Sequence, residues 1–237
     1  DSLLSVITDT MNDRIYLNQK NVTRLYKKDI AAIIPRIGYN LSFHSKSVEQ
    51  LNKNIGIPTT ATATGLLNAQ DKIRTCQLLS QHRILIPKTI PIRAVNNLDW
   101  IVQELGGFPI VAKIIYGSKG VGVFILNDAV SASTGLEAFT ANGHSLLLQS
   151  FINTERKNKK KHDYRLVVVD GKVVASIQRN SVGNDFRTNA SRKEDCEKAY
   201  PDESMQKLAV DAARAVGLDC AGVDIAEETE KKKRYVY

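Results

Sequence analysis

The most informative stretch of the chain is Phe108-Pro-Ile-Val-Ala-Lys-Ile-Ile-Tyr-Gly-Ser-Lys-Gly-Val-Gly-Val123. It contains an apolar run with Lys113 inside it, and a glycine-rich loop follows that run directly. Gly117, Gly120 and Gly122 would let backbone N–H groups approach a ligand where side chains would block them. Lys113 would hold a positive charge on a strand beside this loop. The combination predicts a polyphosphate site. An edge lysine beside a plain hairpin is the alternative, because the glycine spacing matches neither the Walker order nor the dinucleotide fingerprint.

The composition is that of a soluble globular protein, with 43% hydrophobic and 24% charged residues, which is enough apolar material for a packed core. No apolar run is long enough to span a bilayer and no signal-peptide pattern opens the chain, so we expect no membrane partner. Cys76, Cys196 and Cys220 are odd in number and lack metal-ligand spacing. They favour reduced thiols and a cytoplasmic location.

The charge balance favours anionic partners, since 33 Lys and Arg residues face 25 Asp and Glu residues and give a net charge of +8. Much of the excess lies in two runs, residues 156–161 and 231–234. Neither run is interleaved with aromatic residues as a single-strand stacking surface would be. We therefore favour solvated surface loops over a binding patch and do not expect nucleic acid as a partner.

Hydrophobic periodicity predicts helices over residues 43–55, 66–81, 97–105, 128–140 and 201–216. It predicts strands over residues 31–34, 109–115, 121–126, 145–152, 221–226 and 234–237. Asp170-Gly171 lies between two β-branched runs and predicts a two-residue hairpin turn, because Gly tolerates a positive φ. Composition divides the chain into three parts, residues 1–68, 69–150 and 151–237.

A polar segment in the second half of the chain offers further candidates for phosphate chemistry. Arg187 and Asn189 alternate along it, so in an extended backbone they would face the same way. A guanidinium beside a carboxamide suits a transferring phosphoryl group or an acyl phosphate, and an Asx-rich surface turn is the alternative. Arg179, at the end of the predicted hairpin, would add a second cationic contact.

Asp224 is a carboxylate embedded in an apolar predicted strand. An unpaired buried carboxylate is costly, so a metal ion or a basic partner is expected. Magnesium bridging nucleotide phosphates would meet that need, and so would a salt bridge to an arginine.

A protein kinase is excluded although Val111-Ala-Lys113 is similar to the kinase lysine strand. The kinase glycine loop precedes that lysine, whereas here it follows. No His-Arg-Asp catalytic loop is present, and Asp185-Phe186 is followed by Arg187 rather than by glycine.

In this order, the motifs of the chain resemble the RimK-like branch of the ATP-grasp ligases. The resembling segments are Ile34-Pro-Arg-Ile-Gly38, Asp71-Lys-Ile-Arg-Thr75, Phe108-Pro-Ile-Val-Ala-Lys113, Gly117-Ser-Lys-Gly-Val-Gly122, Leu148-Gln-Ser-Phe-Ile152, Asp163-Tyr-Arg-Leu-Val167, Asp185-Phe-Arg-Thr-Asn189 and Ala221-Gly-Val-Asp224. The resemblance runs from about residue 31 to the end of the chain. Each motif alone is modest, but their ordered set is specific.

The resemblance implies an α/β (α+β) ATP-grasp fold in which two sheet-containing lobes sandwich ATP. Residues 1–68 would be a partial N-terminal pre-ATP-grasp domain, residues 69–150 the central lobe with the glycine loop, and residues 151–237 a C-terminal lobe truncated at its end. The implied enzyme is an ADP-forming acid–amino-acid ligase that activates a carboxylate as an acyl phosphate, which an amine attacks to give an amide. It would add glutamate or another amino acid to a peptide, a protein C-terminus or a small acceptor.

The resemblance also implies roles for individual residues. The residues implied to bind ATP are Lys72, Lys113, Gly117, Ser118, Gly120, Gly122, Gln149, Ser150, Phe151, Ile152, Asp163, Arg187, Thr188 and Asn189. Within this set the lysines would hold the phosphates, the hinge beginning at Gln149 would meet the adenine, and Asp163 would meet the ribose. The implied catalytic residues are Arg179, Arg187 and Asn189, with Arg179 near the acceptor carboxylate. Asp224 would ligate Mg²⁺, with Mn²⁺ as the alternative metal.

The chain departs from the family pattern at several places. The hinge reads Gln149-Ser150-Phe151 where the family usually has Gln-Glu-Tyr, and the loop over residues 153–162 is longer and more basic, which favours an acidic acceptor. The family supplies further metal ligands from a Glu-x-Asn motif after the last strand, so we expect segments beyond both ends of the sequence. A catalytically inactive ATP-binding module, a basic nucleic-acid-binding protein and a homo-oligomeric state stay open.

Overall fold

A computed structural model of the 237-residue chain describes residues 4–7, 14–17, 19–37, 40–116, 122–155, 161–181 and 195–237. The helices are α1 (Thr23–Asp29), α2 (Leu41–Lys53), α3 (Ala63–Gln70), α4 (Lys72–Gln81), α5 (Leu98–Leu105), α6 (Ala129–Ala141) and α7 (Glu203–Val216). The strands are β1 (Leu4–Ile7), β2 (Arg14–Leu17), β3 (Lys20–Asn21), β4 (Thr89–Ile92), β5 (Ile110–Ile114), β6 (Val123–Leu126), β7 (Leu146–Ser150), β8 (His162–Val169), β9 (Lys172–Asn180), β10 (Asp195–Lys198), β11 (Cys220–Glu227) and β12 (Arg234–Val236). They form three antiparallel sheets.

The first sheet has the order β1-β2-β3 and packs with α1 and α2 around Ile15, Leu51 and Ile57. The strand predicted over residues 31–34 is wrong, because only Ile33 pairs, in an isolated parallel bridge to Thr59. Its backbone N–H and C=O bond to residues 58 and 60, and Pro35 has no N–H to extend a ladder.

The second sheet has the order β4-β7-β5-β6 and carries Lys113 on β5. One face packs against α5 and α6 in a core formed by Ile101, Leu105, Ile110, Ala112, Leu126, Ala132, Leu136, Leu146 and Leu148. Strand alternation turns Lys113 and Gln149 to the opposite face. Sequence analysis did not predict β4, which contains Pro91. The structure explains how it is tolerated, because β4 is an edge strand where a missing N–H costs no ladder bond.

The third sheet has the order β10-β9-β8-β11-β12. The predicted hairpin is confirmed: β8 and β9 are joined by Asp170 and Gly171, with φ of 47° and 70°. One face of the sheet packs against α4 and α7 in a core that includes Leu79, Ile84, Leu166, Val168, Met205, Ala209, Val223, Ile225 and Val236. The other face carries charged side chains, which are described below.

The single helix predicted over residues 66–81 is wrong, because two helices meet at Asp71. Asp71 has an extended backbone (φ −88°, ψ 106°), and its carboxylate accepts hydrogen bonds from the backbone N–H groups of Ile73 and Arg74. An Asp side chain that bonds nearby backbone N–H groups favours a helix start over a helix interior. The break places Lys72 in the first turn of α4.

The apolar packing of α3 and α4 is with the third sheet and its helix α7. Leu79 of α4 lies in the core of the third sheet, and the Asn68 side chain donates to the carbonyl oxygen of Val216 at the end of α7 (3.1 Å). The lobe boundaries inferred from composition stay a prediction, and this packing favours grouping the residues before β4 with the third sheet. Within the described part of the chain, every helix is too short or too polar to cross a bilayer.

Candidate functional site

The charged face of the third sheet and the Lys113 face of the second sheet meet across a cleft. The ammonium nitrogen of Lys113 lies 4.9 Å from the ring centroid of Tyr237, which follows β12 directly. The backbone N–H of Tyr237 donates to the carbonyl oxygen of Asp224 on β11 (3.3 Å). The cleft is therefore bounded by β5 on one side and by β11 and β12 on the other.

Lys113 is held in the cleft without an acidic partner at hydrogen-bond distance among the described residues. Burial lowers its pKa to about 8; the thiol of Cys76 and the carboxylate of Asp224 act in the opposite direction, and the positive charge of Lys72 lowers it further. Two ammonium groups that disfavour each other create a site where an anion is stabilising. This is the electrostatic situation that a phosphate chain would relieve.

Lys72 ties the start of α4 to the end of β5. Its ammonium group donates to the carbonyl oxygen of Ile115 (2.9 Å), and burial lowers its pKa. The neighbouring Asp71 accepts a hydrogen bond from the hydroxyl of Tyr116 (3.2 Å). Asp71, which caps α4, and Lys72, its first residue, thus hold the two residues that lead into the glycine loop.

Gly122 fixes the far end of that loop. Its φ is +71°, and its carbonyl oxygen accepts from the backbone N–H of Ile114 (2.9 Å). A Cβ at this position would lie 2.5 Å from the Cδ1 atom of Ile114, so only glycine fits without a shift. The predicted loop residues Gly117, Ser118 and Gly120 lie outside the described residues.

Gln149, the first residue of the predicted adenine hinge, is buried on the cleft face of β7. Its Nε2 atom donates to the hydroxyl of Thr89 (2.9 Å) and lies 3.9 Å from the sulfur of Cys76. Its Oε1 atom is buried with no hydrogen-bond partner in the described part of the chain. A buried acceptor normally has a donor, and the exocyclic amino group of adenine is a donor of suitable chemistry.

The remaining hinge residues lie at the same end of the cleft. The backbone N–H of Ser150 donates to the carbonyl oxygen of Lys88 (3.0 Å), and Ile152 is partly buried. The ring of Phe151 faces the ammonium group of Lys161, which is 4.8 Å from the ring centroid. A cation–π contact therefore holds the hinge beside Lys161, the residue that precedes β8.

The charged face of the third sheet is a network of two carboxylates and two guanidinium groups. Asp163 and Arg179 lie opposite each other on β8 and β9 and form a two-point ion pair, one contact being Arg179 Nε to Asp163 Oδ1 at 2.7 Å. Asp224 lies opposite Arg165, accepts two hydrogen bonds from it (2.8 and 3.0 Å), and is 3.0 Å from Arg179 Nη2. Buried charges persist when they are paired in this way.

One donor of the network has no partner among the described residues. Burial opposes the charge of Arg179, but hydrogen bonds to Asp163 and the charge of Asp224 raise its pKa above the ordinary value. Burial raises the pKa of Asp224, against the effect of the two arginines. The Nη1 atom of Arg179 is buried and has no partner among the described residues. An anionic group entering the cleft would satisfy it.

The predicted site residues are therefore distributed as follows. The structure brings together Lys72, Lys113 and Asp224, while Asp163 and Arg179 are sealed, with 2% and 1% of their surface exposed. Asp224 has basic partners, as the sequence predicted, in Arg165 and Arg179. Arg187, Thr188 and Asn189 lie outside the described residues. The roles of all these residues toward ATP stay predictions.

Sequence reasoning missed Arg165 and Tyr237 as members of the site. Arg165 lies in the first strand of the predicted hairpin, two residues after Asp163. In an extended backbone this spacing puts both side chains on one face, so this signal was present. Tyr237 lies at the end of a predicted strand next to Val236, which is buried in the core, and alternation with Val236 was its signal.

The donors and acceptors fit a nucleotide better than they fit a metal ion alone. The site offers two lysines, together with a guanidinium nitrogen and a carboxamide oxygen that have no partner among the described residues. These groups complement phosphates and a base. Within the described ranges, no three His, Cys, Asp or Glu side chains converge on one point. A divalent cation held near Asp224 would therefore need phosphate oxygens to complete its oxygen coordination.

Comparison with known proteins assigns the fold and the family. Residues 69–236 match the family model of the RimK-like ATP-grasp domain. A "Probable alpha-L-glutamate ligase" of Rhodopirellula baltica is 33% identical over 201 residues, which cover 85% of this chain and 49% of the relative. The "Probable alpha-L-glutamate ligase 2" of Pseudoalteromonas atlantica is 33% identical over 194 residues, covering 82% of this chain and 63% of that protein. The chain thus spans between about half and just under two thirds of the length of these relatives.

Solved structures agree on the architecture. The ATP-grasp ligase PsnB in complex with a minimal precursor, Mg and ADP superposes with a TM-score of 0.69 at 16% identity, covering 100% of this chain and 75% of PsnB. A RimK domain ATP-grasp protein from Sphaerobacter thermophilus superposes with a TM-score of 0.65 at 21% identity, covering 88% of this chain and 72% of that one. These likenesses confirm the expected ATP-grasp fold. The family match over residues 69–236 establishes that the chain belongs to the RimK-like ATP-grasp family.

Proposed function

We propose that the chain is the nucleotide-binding and amide-forming part of an ADP-forming carboxylate–amine ligase. The observation that carries the proposal is the meeting of Lys72 and Lys113 with the Asp163–Arg179–Asp224 network across one cleft. Excess positive charge on one side and a paired acidic network on the other suit a phosphate chain and its metal. Family membership and the names of the relatives support the same reaction class.

The proposed reaction has two steps. An acceptor carboxylate oxygen attacks the γ-phosphorus of ATP, the bond to the β-phosphate oxygen breaks, and ADP leaves. The amine of the second substrate then attacks the carbonyl carbon of the acyl phosphate, phosphate leaves, and the nitrogen loses a proton. Both steps develop negative charge on oxygen, which fixed cationic groups stabilise.

Each residue of the cleft has a defined task in this proposal. Lys113 and Lys72 bind and orient the phosphates, and Gln149 orients the base. Bound Mg²⁺, or Mn²⁺ as the alternative, would neutralise phosphate charge and orient the transferring group. Arg179 would donate from its Nη1 atom, which is buried without a partner in the described part of the chain, to an anionic oxygen of the acceptor. Arg187 and Asn189 are proposed to contact the transferring phosphate.

Glutamate is the proposed amine substrate, because the curated relatives are named glutamate ligases. A peptide or protein C-terminus is the proposed acceptor, and the structure of PsnB with a precursor peptide supports a peptide acceptor. The basic residues over 156–161 favour an acidic acceptor. ATP supply fits a cytoplasmic location.

Turnover with defined substrates tests the proposal. The protein is incubated with ATP, Mg²⁺, L-glutamate and either an acidic peptide or a neutral peptide of equal length. We expect ADP, phosphate and a peptide heavier by one glutamyl residue, with the acidic peptide used preferentially. The Lys113→Met variant should be inactive and the Lys53→Met variant, altered at an exposed lysine of α2, should match the wild type. Formation of AMP and pyrophosphate would contradict the proposal.

A nucleotide-binding module without ligase activity is the second candidate. The observation that favours it is the commitment of Asp163 and Asp224 to the two arginines. Two results together would select this function. Titration calorimetry would find ATP binding, and the turnover assay with Mg²⁺, L-glutamate and either peptide would yield no ADP.

A further inference from the structure

Tyr237 joins the two sides of the cleft through two different parts of its side chain. Its ring faces the ammonium group of Lys113 on the second sheet, 4.9 Å from the ring centroid. Its hydroxyl donates to Asp163 Oδ2 on the third sheet. The same tyrosine thus touches the group predicted to hold the phosphates and the group predicted to meet the ribose.

The surroundings of Lys113 explain why the ring matters. Cys76 and Lys72 face it from α4, Gln149 lies on the same face of the second sheet, and Asp224 acts on it from β11. No carboxylate is within ion-pair distance of it among the described residues. The π-face of Tyr237 lies against the ammonium group and, together with the charges of Cys76 and Asp224, favours the ammonium form against repulsion from Lys72.

The hydroxyl of Tyr237 has an equally defined task. Burial, together with the charges of Asp163 and Asp224, raises its pKa well above the usual value, so it remains a donor. It covers Asp163, which is 2% exposed. The carboxylate of Asp163 is thereby fixed by two residues: Arg179 of β9 donates to its Oδ1 atom, and Tyr237 donates to its Oδ2 atom.

We propose that Tyr237 is a positioning residue of the nucleotide site, which acts through Lys113 and Asp163 by setting their separation across the cleft. The inference rests on the proposed function, because it takes both groups to be nucleotide contacts. A rigid ring with a polar tip can hold both groups in place at low entropic cost. Without the tyrosine, the Lys113 side chain must be ordered when ATP binds, and the lost side-chain entropy weakens ATP binding.

A double-mutant cycle on ATP affinity tests this inference. Titration calorimetry compares the wild type, Tyr237→Leu, Lys113→Met and the double variant. We expect Tyr237→Leu to weaken ATP binding by about 3- to 10-fold in the wild-type background, the range of one cation–π contact, and by much less when Lys113 is already replaced. Tyr235→Leu is the matched control, because Tyr235 lies on β12 two residues before Tyr237 and bonds Glu228 instead. It should leave the affinity unchanged.

A tyrosine that only supports the fold would give equal losses in both backgrounds, and that additive result would refute the inference. Tighter ATP binding by Tyr237→Leu would also refute it, since the ring would then obstruct the site.

If the leucine variant does not fold, Tyr237→Phe is used. It should keep the coupling to Lys113 and lose the coupling to Asp163, which is measured with Asp163→Asn. Failure of Tyr237→Phe to couple to Lys113 overturns the inference. A wild-type protein that does not bind ATP refutes this inference and the proposed function together; binding with an additive cycle refutes this inference alone.

Discussion

Arg179 and Asp163 lie directly opposite each other on neighbouring strands, and both side chains are sealed from solvent, at 1% and 2% exposure. The pair is held by two contacts and extends to Asp224 through Arg179 Nη2 at 3.0 Å. Buried ions that have lost their hydration depend on one another. The stability of the third sheet is therefore linked to the chemistry of the cleft.

We expect Asp163→Asn to lower the free energy of unfolding by about 3–5 kcal/mol, because Arg179 would keep its buried charge without its main counter-ion. Urea denaturation measures the effect. The control is Asp211→Asn, which removes the partner of Lys207 on the exposed surface of α7, where Lys207 is 76% exposed. That change should cost less than about 1 kcal/mol. Equal, small effects of the two substitutions would contradict a sealed ion pair.

The contact between α3 and the end of α7 gives a second prediction. A Cβ on Gly65 would lie 2.1 Å from the carbonyl oxygen of Gly217, so Gly65→Ala must push the two elements apart. We expect it to destabilise the fold by about 1–3 kcal/mol, although Ala normally stabilises a helix by about 0.5–1 kcal/mol relative to Gly.

Gly135→Ala in α6 is the matched test of the Gly65 prediction. The nearest atom to its Cβ would be Leu126 Cδ2 at 3.4 Å, an ordinary contact. This substitution should raise the thermal midpoint while Gly65→Ala lowers it. A stabilising Gly65→Ala would mean that α3 and α7 are not in close contact.

Local chemistry explains which elements the sequence could predict. The hairpin turn at Asp170-Gly171 and the helix α5, capped by Asn97 and ended by Gly106 at φ +92°, are specified by residues next to one another in the chain. The break at Asp71 was also local. It was missed because the apolar spacing continues on both sides of it, and only the side-chain bonds to the N–H groups of the next turn reveal a new helix.

The candidate site was predictable in part, because only those of its residues that are close together in the sequence could be grouped from the sequence alone. Lys113 and Gly122 are close in sequence and were found together. The partners of Asp224 were not, since Arg165 is 59 residues away and becomes its neighbour only through the pairing of β8 with β11. Apolar flanks of Asp224 predicted that a partner must exist, and the sheet register decides which one.

The backbone conformation of Gly122 gives a prediction for both stability and ATP binding. Gly122→Ala would combine a φ of +71° with a Cβ 2.5 Å from the Ile114 side chain. We expect a loss of stability of about 2–4 kcal/mol, the sum of left-handed strain and overpacking. ATP affinity should fall as well. Gly143→Ala is the control, with a φ of +77° and nothing within 4 Å of its Cβ, and should cost only about 1–2 kcal/mol with ATP affinity unchanged. Equal losses of stability for both would contradict the contact with Ile114.

The pH dependence of ATP affinity tests the charge state of Lys113. Burial lowers its pKa to about 8, so the ammonium form predominates below pH 8 and is lost as the pH rises through that value. Bound phosphate favours the ammonium form and raises the pKa in the complex. Between the two pKa values the affinity should fall about tenfold per pH unit, because binding must take up one proton. Titration calorimetry from pH 6.5 to about 10 should show this fall in the wild type and in Lys53→Met. Lys113→Met should bind weakly with a flatter profile; an unchanged slope in that variant would assign the proton to another group.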